Sequence, residues 1–244
     1  MKTLFIFLTL ILLITLGKTP VYASEKNPDN GNPHPDKLCV LTFDDGPSAD
    51  PELTLLVLDK LKSYGIKATF FLVGQNINDS TKGVIDRMVA DGHEIGNHSW
   101  SYDDMAKMGA DEIKKSVGDT TRVIQKYAGV TPVFFRPPNL STSAIMYNNI
   151  DLPFASGVVA GDWPGGGGDT IEHIMEKLED GLKDGVIILL HDVQPKPHPT
   201  PEALDTLIPK LKKDGYEFVT LSELFKRKGI VPDSKIEDMY VYIE

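Results

Sequence analysis

Short apolar runs alternate with amphipathic stretches along most of this chain, and one of them, Val186–Leu190, is apolar at every position. A strand with one wet face alternates apolar and polar residues. A run that is apolar throughout suits a strand covered on both faces, as in parallel sheets flanked by helices. The pattern predicts strands at Cys39–Phe43, Ala68–Val73, His93–Asn97, Val133–Phe135, around Phe154–Val159, at Val186–Leu190 and at Glu217–Thr220. Between them it predicts helices over Pro51–Tyr64, with Asp50 as the cap, Thr81–Asp91, Asp111–Ala128, Thr170–Lys183 and Thr200–Lys213, then a last helix capped by Ser222. Strand and helix in turn argue for a parallel α/β arrangement, either a barrel or a doubly wound open sheet.

The organisation outside this pattern is simple. Lys2, the apolar run Leu4–Leu16 and the small-residue site Val21-Tyr22-Ala23 read as an export signal over residues 1–23, since the run falls short of the roughly 20 residues that a membrane span needs. Residues 24–37 read as a flexible leader, 38–231 as one domain and 232–244 as a C-terminal tail. The expectation is a secreted monomer with no membrane contact after cleavage, unless the leader is retained as an anchor. With 25 Lys and Arg against 35 Asp and Glu, the chain offers no basic footprint for nucleic acid. The single cysteine, Cys39, forbids an internal disulfide and any cysteine-based zinc site, so it is expected in the core. Gly165–Gly168 lack the following Lys and Ser/Thr of a phosphate cradle and are expected to form a mobile rim.

Polar groups gather where apolar runs end. Cys39–Phe43 runs into Asp44 and Asp45, Glu94–Asn97 into His98, Val133–Phe135 into Arg136, and Val186–Leu190 into His191 and Asp192. In parallel α/β folds the reactive groups lie on the loops after the carboxyl ends of strands, so these groups are expected to converge. Each signal alone has a plain alternative: a solvated Asp-Gly-Pro turn, a surface Arg-Pro-Pro turn, a strand-end cap. Together they point to chemistry. Adjacent carboxylates are costly unless something positive stands nearby, so a cation is implied. Asp45 and His98 are natural ligands for a divalent ion, Asp44 a general base on water, Arg136 its charge partner, and His191 a proton donor to a leaving group.

Thr42-Phe43-Asp44-Asp45-Gly46-Pro47-Ser48, Gly92 through Ser101, Phe135-Arg136-Pro137-Pro138, Asp162-Trp163 and Leu189-Leu190-His191-Asp192 resemble, in order, the five motifs of the polysaccharide deacetylases of carbohydrate esterase family 4, the NodB-like domain. The likeness spans roughly residues 37–231, and the stretches Asn97–Tyr102 and His191–Glu202 resemble the acetylxylan esterase domains attached to some bacterial xylanases. It implies a distorted, incomplete (β/α) barrel that removes acetyl groups from an acetylated polysaccharide with one divalent metal ion, such as zinc or cobalt. It further implies Asp44 as base, Asp45 and His98 as metal ligands, Arg136 as the residue positioning Asp44, and Asp162 as the group tuning the acid His191. Trp163 and Leu190 would wall the acetyl pocket. The loop of Pro137, Pro138 and Asn139 would bind substrate, with the Asn139 N–H stabilising the oxyanion.

One departure stands out. The family usually carries a second histidine four residues after the first, and this chain has Tyr102 there. A neutral phenol is a poor ligand, so the ion is expected to keep Asp45, His98 and several waters in a looser, hydrated site. The likeness to xylanase-linked domains favours O-acetyl xylan as substrate. The alternatives are N-deacetylation of peptidoglycan or chitin-like N-acetylglucosamine polymers, and a non-catalytic carbohydrate-binding protein with a decayed metal site.

Overall fold

A computed structural model describes residues 37–165 and 170–244. The expected signal, the leader before Lys37 and most of the glycine run lie outside the described residues. Six parallel strands form the sheet: β1 (Lys37–Asp44), β2 (Thr69–Leu72), β3 (Glu94–Asn97), β4 (Val158–Val159), β5 (Val186–His191) and β6 (Tyr216–Phe218), ordered β3-β2-β1-β5-β4. β6 shares an edge of β1 with β2: Lys37–Cys39 pair with β6, and Thr42–Asp44 pair with β2. Helices α1 (Thr54–Tyr64), α2 (Lys82–Ala90), α3 (Ala110–Ala128), α4 (Ala144–Asn149), α5 (Ile171–Glu179), α6 (Thr200–Lys213) and α7 (Leu221–Lys228) connect the strands.

The ladder does not close into a full barrel, as the distorted, incomplete (β/α) barrel requires. Single parallel bridges continue it instead, from Asn97 to Phe135, Phe135 to Phe154 and Ala155 to Tyr240, and an antiparallel bridge joins Tyr242 to Val186 on β5. Two expectations change here. Val133–Phe135 is no strand and meets the ladder only at Phe135, which bridges to Asn97 and Phe154, because Pro137 and Pro138 follow after Arg136 and cannot donate to a ladder. Residues 232–244 are no detached tail: Tyr240 and Tyr242 bridge to the sheet, and Ile243 is buried.

Strand parity sorts the core. On β1, Cys39, Leu41 and Phe43 pack with α1, α2, α5 and α6 in the larger cluster, where Phe43 stacks on Phe70 with ring centroids 5.1 Å apart. Leu38 and Val40 face Leu224 and Phe225 of α7. Thr42 and Asp44 continue that second face toward the carboxyl end of the strand, and the buried Cys39 behaves as the expected core residue.

Helix boundaries follow local bonding. Asp50 does not cap α1; its carboxylate accepts from the Glu52 N–H, and the helix begins only at Thr54, whose hydroxyl is tied to Ser48 and Asp192. α5 ends at Glu179, earlier than expected, because the chain must turn at Gly181, where a Cβ would fall 2.5 Å from Val158. Thr220 rather than Ser222 caps α7, accepting from the Glu223 N–H, while Ser222 bonds to Glu94.

Candidate active site

The carboxyl ends of β1, β3 and β5 open on a cavity of about 620 Å³, lined among others by Asp44, Asp45, His98, Tyr102, Trp163 and His191. Asp44 ends β1 on the face that β1 turns toward Arg136. The guanidinium, fully buried, donates from Nη1 to Asp44 Oδ1 at 2.7 Å and to Thr42 Oγ1 at 2.8 Å. It also donates from Nε to the Ala155 carbonyl and from Nη2 to the Ser156 carbonyl, and it lies 4.1 Å over the Phe71 ring. Phe71 can sit there because β3 carries Gly96 opposite it; a Cβ at Gly96 would meet the ring at 2.5 Å. A buried guanidinium with its donors satisfied and a carboxylate beside it is the condition under which a buried charge is tolerated.

Asp45 follows with φ 81°, a left-handed conformation that few non-glycine residues adopt. The turn aims its carboxylate at His98, whose Nε2 stands 3.5 Å from Asp45 Oδ1 and 3.8 Å from Asp44 Oδ2. His98 Nδ1 lies 2.7 Å from the Arg136 carbonyl oxygen, which can only accept, so the proton is on Nδ1 and the Nε2 lone pair faces two carboxylates. Three acceptors converging with no donor between them fit a bound cation. Without one, burial pushes the His98 imidazolium down, but Asp44 and then Asp45 outweigh it and raise its pKa. Among the described residues no group of three or more His, Cys, Asp or Glu forms a complete ligand set, so an ion on Asp45 and His98 would need ligands from water. Tyr102 stands in the cleft, yet its hydroxyl is engaged with Asn76 Nδ2 at 3.1 Å and donates to the Asp45 carbonyl at 3.3 Å, and burial pushes the phenol pKa up. It is a neutral brace on the Asp45 turn.

Across the cavity, His191 ends β5. Its Nδ1 bonds Asp162 Oδ1 at 2.8 Å, and its backbone N–H donates to Asp162 Oδ2 at 2.9 Å. Burial would lower the His191 pKa, but the Asp162 hydrogen bond and charge, with Asp44 and Asp45 beyond, raise it to about 9. Trp163 packs edge-on to the imidazole, with centroids 5.3 Å apart. Pro137, Pro138 and Asn139 form another wall. Asn139 has φ 57°, and among the described residues its N–H is given to no backbone carbonyl.

One expected wall residue is wrong. Leu190 belongs to the main core with Val186 and Ile188, and Leu189 lines the cavity instead. The reason is the two-residue strand period: Leu189 shares a face with His191, whereas Leu190 points the other way. Counting back from His191 would have found this. Thr42, Asn76 and Thr200 were missed for a different reason. Each acts through hydrogen bonds to residues distant in the chain, Thr42 with Arg136, Asn76 with Asp45 and Tyr102, and Thr200 with Asp162, and those partners cannot be read from local spacing.

The family model described as polysaccharide deacetylase matches residues 31–152. A bifunctional xylanase/deacetylase of Pseudobutyrivibrio xylanivorans is 42% identical over 91% of this chain and 36% of its own length. A peptidoglycan-N-acetylglucosamine deacetylase of Bacillus cereus is 37% identical over 77% of this chain and 68% of its own. The chain spans 36% to 44% of the length of the first curated relatives it matches. Among solved structures, a family 4 acetyl xylan esterase from Clostridium thermocellum, in complex with a cobalt ion, is 58% identical with a TM-score of 0.81, covering 85% of this chain and 99% of that one. The Xyl-CE4 domain of a multidomain xylanase from the hindgut metagenome of Trinervitermes trinervoides is 40% identical with a TM-score of 0.79, covering 85% and 98%. On sequence and fold alike, this chain belongs to the polysaccharide deacetylases of carbohydrate esterase family 4.

Proposed function

We propose that the protein is an exported, metal-dependent esterase that removes O-acetyl groups from xylan. The observation that carries the reading is the pairing across one cavity of a carboxylate held by a buried arginine, Asp44–Arg136, with a carboxylate-held imidazole, Asp162–His191. Such a pair can take a proton on one side of a bond and return it on the other. The likeness to acetyl xylan esterases supports the choice of substrate.

A divalent ion held by Asp45 and His98 would acidify a water and polarise the acetyl carbonyl. Asp44 Oδ2, free of the arginine, takes the proton of the attacking water. Arg136 holds Asp44 through Oδ1 and leaves Oδ2 pointed at the cavity. The Asn139 N–H donates to the carbonyl oxygen as it gains negative charge. Leu189 and Trp163 receive the acetyl methyl group between apolar walls, and Pro137 and Pro138 shape the approach of the sugar. His191 gives its Nε2 proton to the departing sugar oxygen, while Asp162 holds Nδ1–H and stabilises the imidazolium. The bond between the acetyl carbon and the sugar oxygen breaks, and acetate and a free hydroxyl leave.

Acetate release from acetylated xylan, xylo-oligosaccharides and N-acetylglucosamine oligomers, with and without added Co²⁺ or Zn²⁺, tests the reading. Metal-stimulated release from xylan is expected. Release from the N-acetylglucosamine oligomers alone would replace it with an N-deacetylase acting on peptidoglycan or chitin-like polymers, and sugar binding without any release would replace it with a binding protein.

A further inference from the structure

Asp162 stands on weaker ground than the residue it serves. It lies on the loop after the two-residue strand β4 and shortly before the glycine run. Among the described residues its carboxylate accepts from three groups. Two belong to His191: the ring Nδ1–H, on the side chain to be oriented, and the backbone N–H, which ties Asp162 Oδ2 to β5. The third is the Thr200 hydroxyl, 2.6 Å from Asp162 Oδ2.

Thr200 is rigidly placed. It is fully buried at the start of α6, a 14-residue helix whose Ala203, Leu204, Leu207 and Ile208 are packed in the main core. Its hydroxyl has one hydrogen to give, and an ionised carboxylate can only accept it. The Thr200 oxygen must then accept from Gln194, whose Nε2 lies 3.1 Å away. This assigns the Gln194 amide: the flipped orientation would offer Thr200 two acceptors for one hydrogen. Gln194 Oε1 then has no partner among the described residues.

We infer that Thr200, backed by Gln194, is a positioning residue that ties Asp162 to helix α6 and so keeps His191 aimed into the cavity. The inference rests on the reading of His191 as the acid. Thr200→Val keeps the shape and removes the hydrogen bond, whereas Thr200→Ser keeps the bond. Hydrogen bonds to charged groups contribute enough that kcat on acetylated xylan should fall about tenfold in Thr200→Val with KM within about twofold, and Thr200→Ser should stay near the wild type. Proton NMR gives an independent readout. The His191 Nδ1 proton, bonded to Asp162, should resonate far downfield in the wild type and in Thr200→Ser, and broaden or vanish in Thr200→Val. If Thr200→Val does not fold, Thr200→Ala carries the same comparison. Wild-type kcat together with an intact resonance in the variant lacking the hydroxyl would overturn the inference. Full activity in His191→Ala would instead sink the acid reading, and the resonance would still report on Thr200.

Discussion

The two sides of the cleft hold their charges in opposite ways. Around Asp44 and Asp45, one guanidinium pairs with Asp44 and leaves Asp45 to the His98 lone pair, which points at both carboxylates. Around Asp162, one carboxylate meets one imidazole. The first side is short of positive charge and the second is balanced. A low-dielectric site penalises such a deficit, which a cation from solution or a proton on His98 would offset, whereas the second side needs neither. The two sides also differ in footing. Asp44 ends a strand paired on both edges, whereas Asp162 lies on a loop and is held by the His191 N–H of β5 and the Thr200 hydroxyl of α6.

If the deficit is real, the largest effect should come from removing one of its acceptors. Asp45→Ala should abolish divalent-ion binding by calorimetry and reduce acetate release by about 10³-fold or more, because the ion's Lewis-acid contribution goes with it. Undiminished binding would break the comparison at its centre. Removing the one fixed cation should cost fold stability as well. Arg136→Met leaves Asp44 buried and uncompensated, and about 3 to 5 kcal/mol should be lost in chemical denaturation.

On the balanced side the effect should appear in pH rather than in metal. With the His191 pKa at about 9, the proton-donating form persists up to that pH, and activity should fall above it. In Asp162→Asn burial still pulls the pKa down while the hydrogen bond to a charge is gone. The alkaline limb of kcat should then move down toward pH 6.5 or below, with a loss of about thirtyfold or more at pH 8. An unmoved limb would mean that another group sets it.

Two smaller effects sharpen the picture. Leu190→Ala should cost about 2 to 5 kcal/mol of stability and spare KM, whereas Leu189→Ala should disturb KM and kcat at a smaller cost in stability. The reverse result would return Leu190 to the acetyl pocket. Tyr102→His should tighten divalent-ion binding by about tenfold, within the range that neighbouring groups tune metal sites. Unchanged affinity would show that residue 102 stands outside the ligand shell.

Much of this could be read along the chain. The apolar runs located β1, β2, β3 and β5 to within a residue or two, because a strand covered on both faces has few residue types open to it. Asp44, Asp45, His98 and His191 were legible for a related reason: they interrupt or end those runs, and parallel folds collect such ends on one side. Cap positions and short elements were less legible. α4 went unseen, and the start of α1 was displaced by side-chain bonds to residues far along the chain.

The residue types and their order along each strand were enough to say which charged groups meet, since charge and the two-residue period are local properties. Folding alone decided what holds those groups still. Arg136 reaches Thr42 and the Ala155 and Ser156 carbonyls, Thr200 reaches Asp162, and Asn76 with Tyr102 braces the Asp45 turn. A hydrogen bond between segments far apart in the chain depends on distances of a few ångströms that packing sets and sequence spacing does not encode.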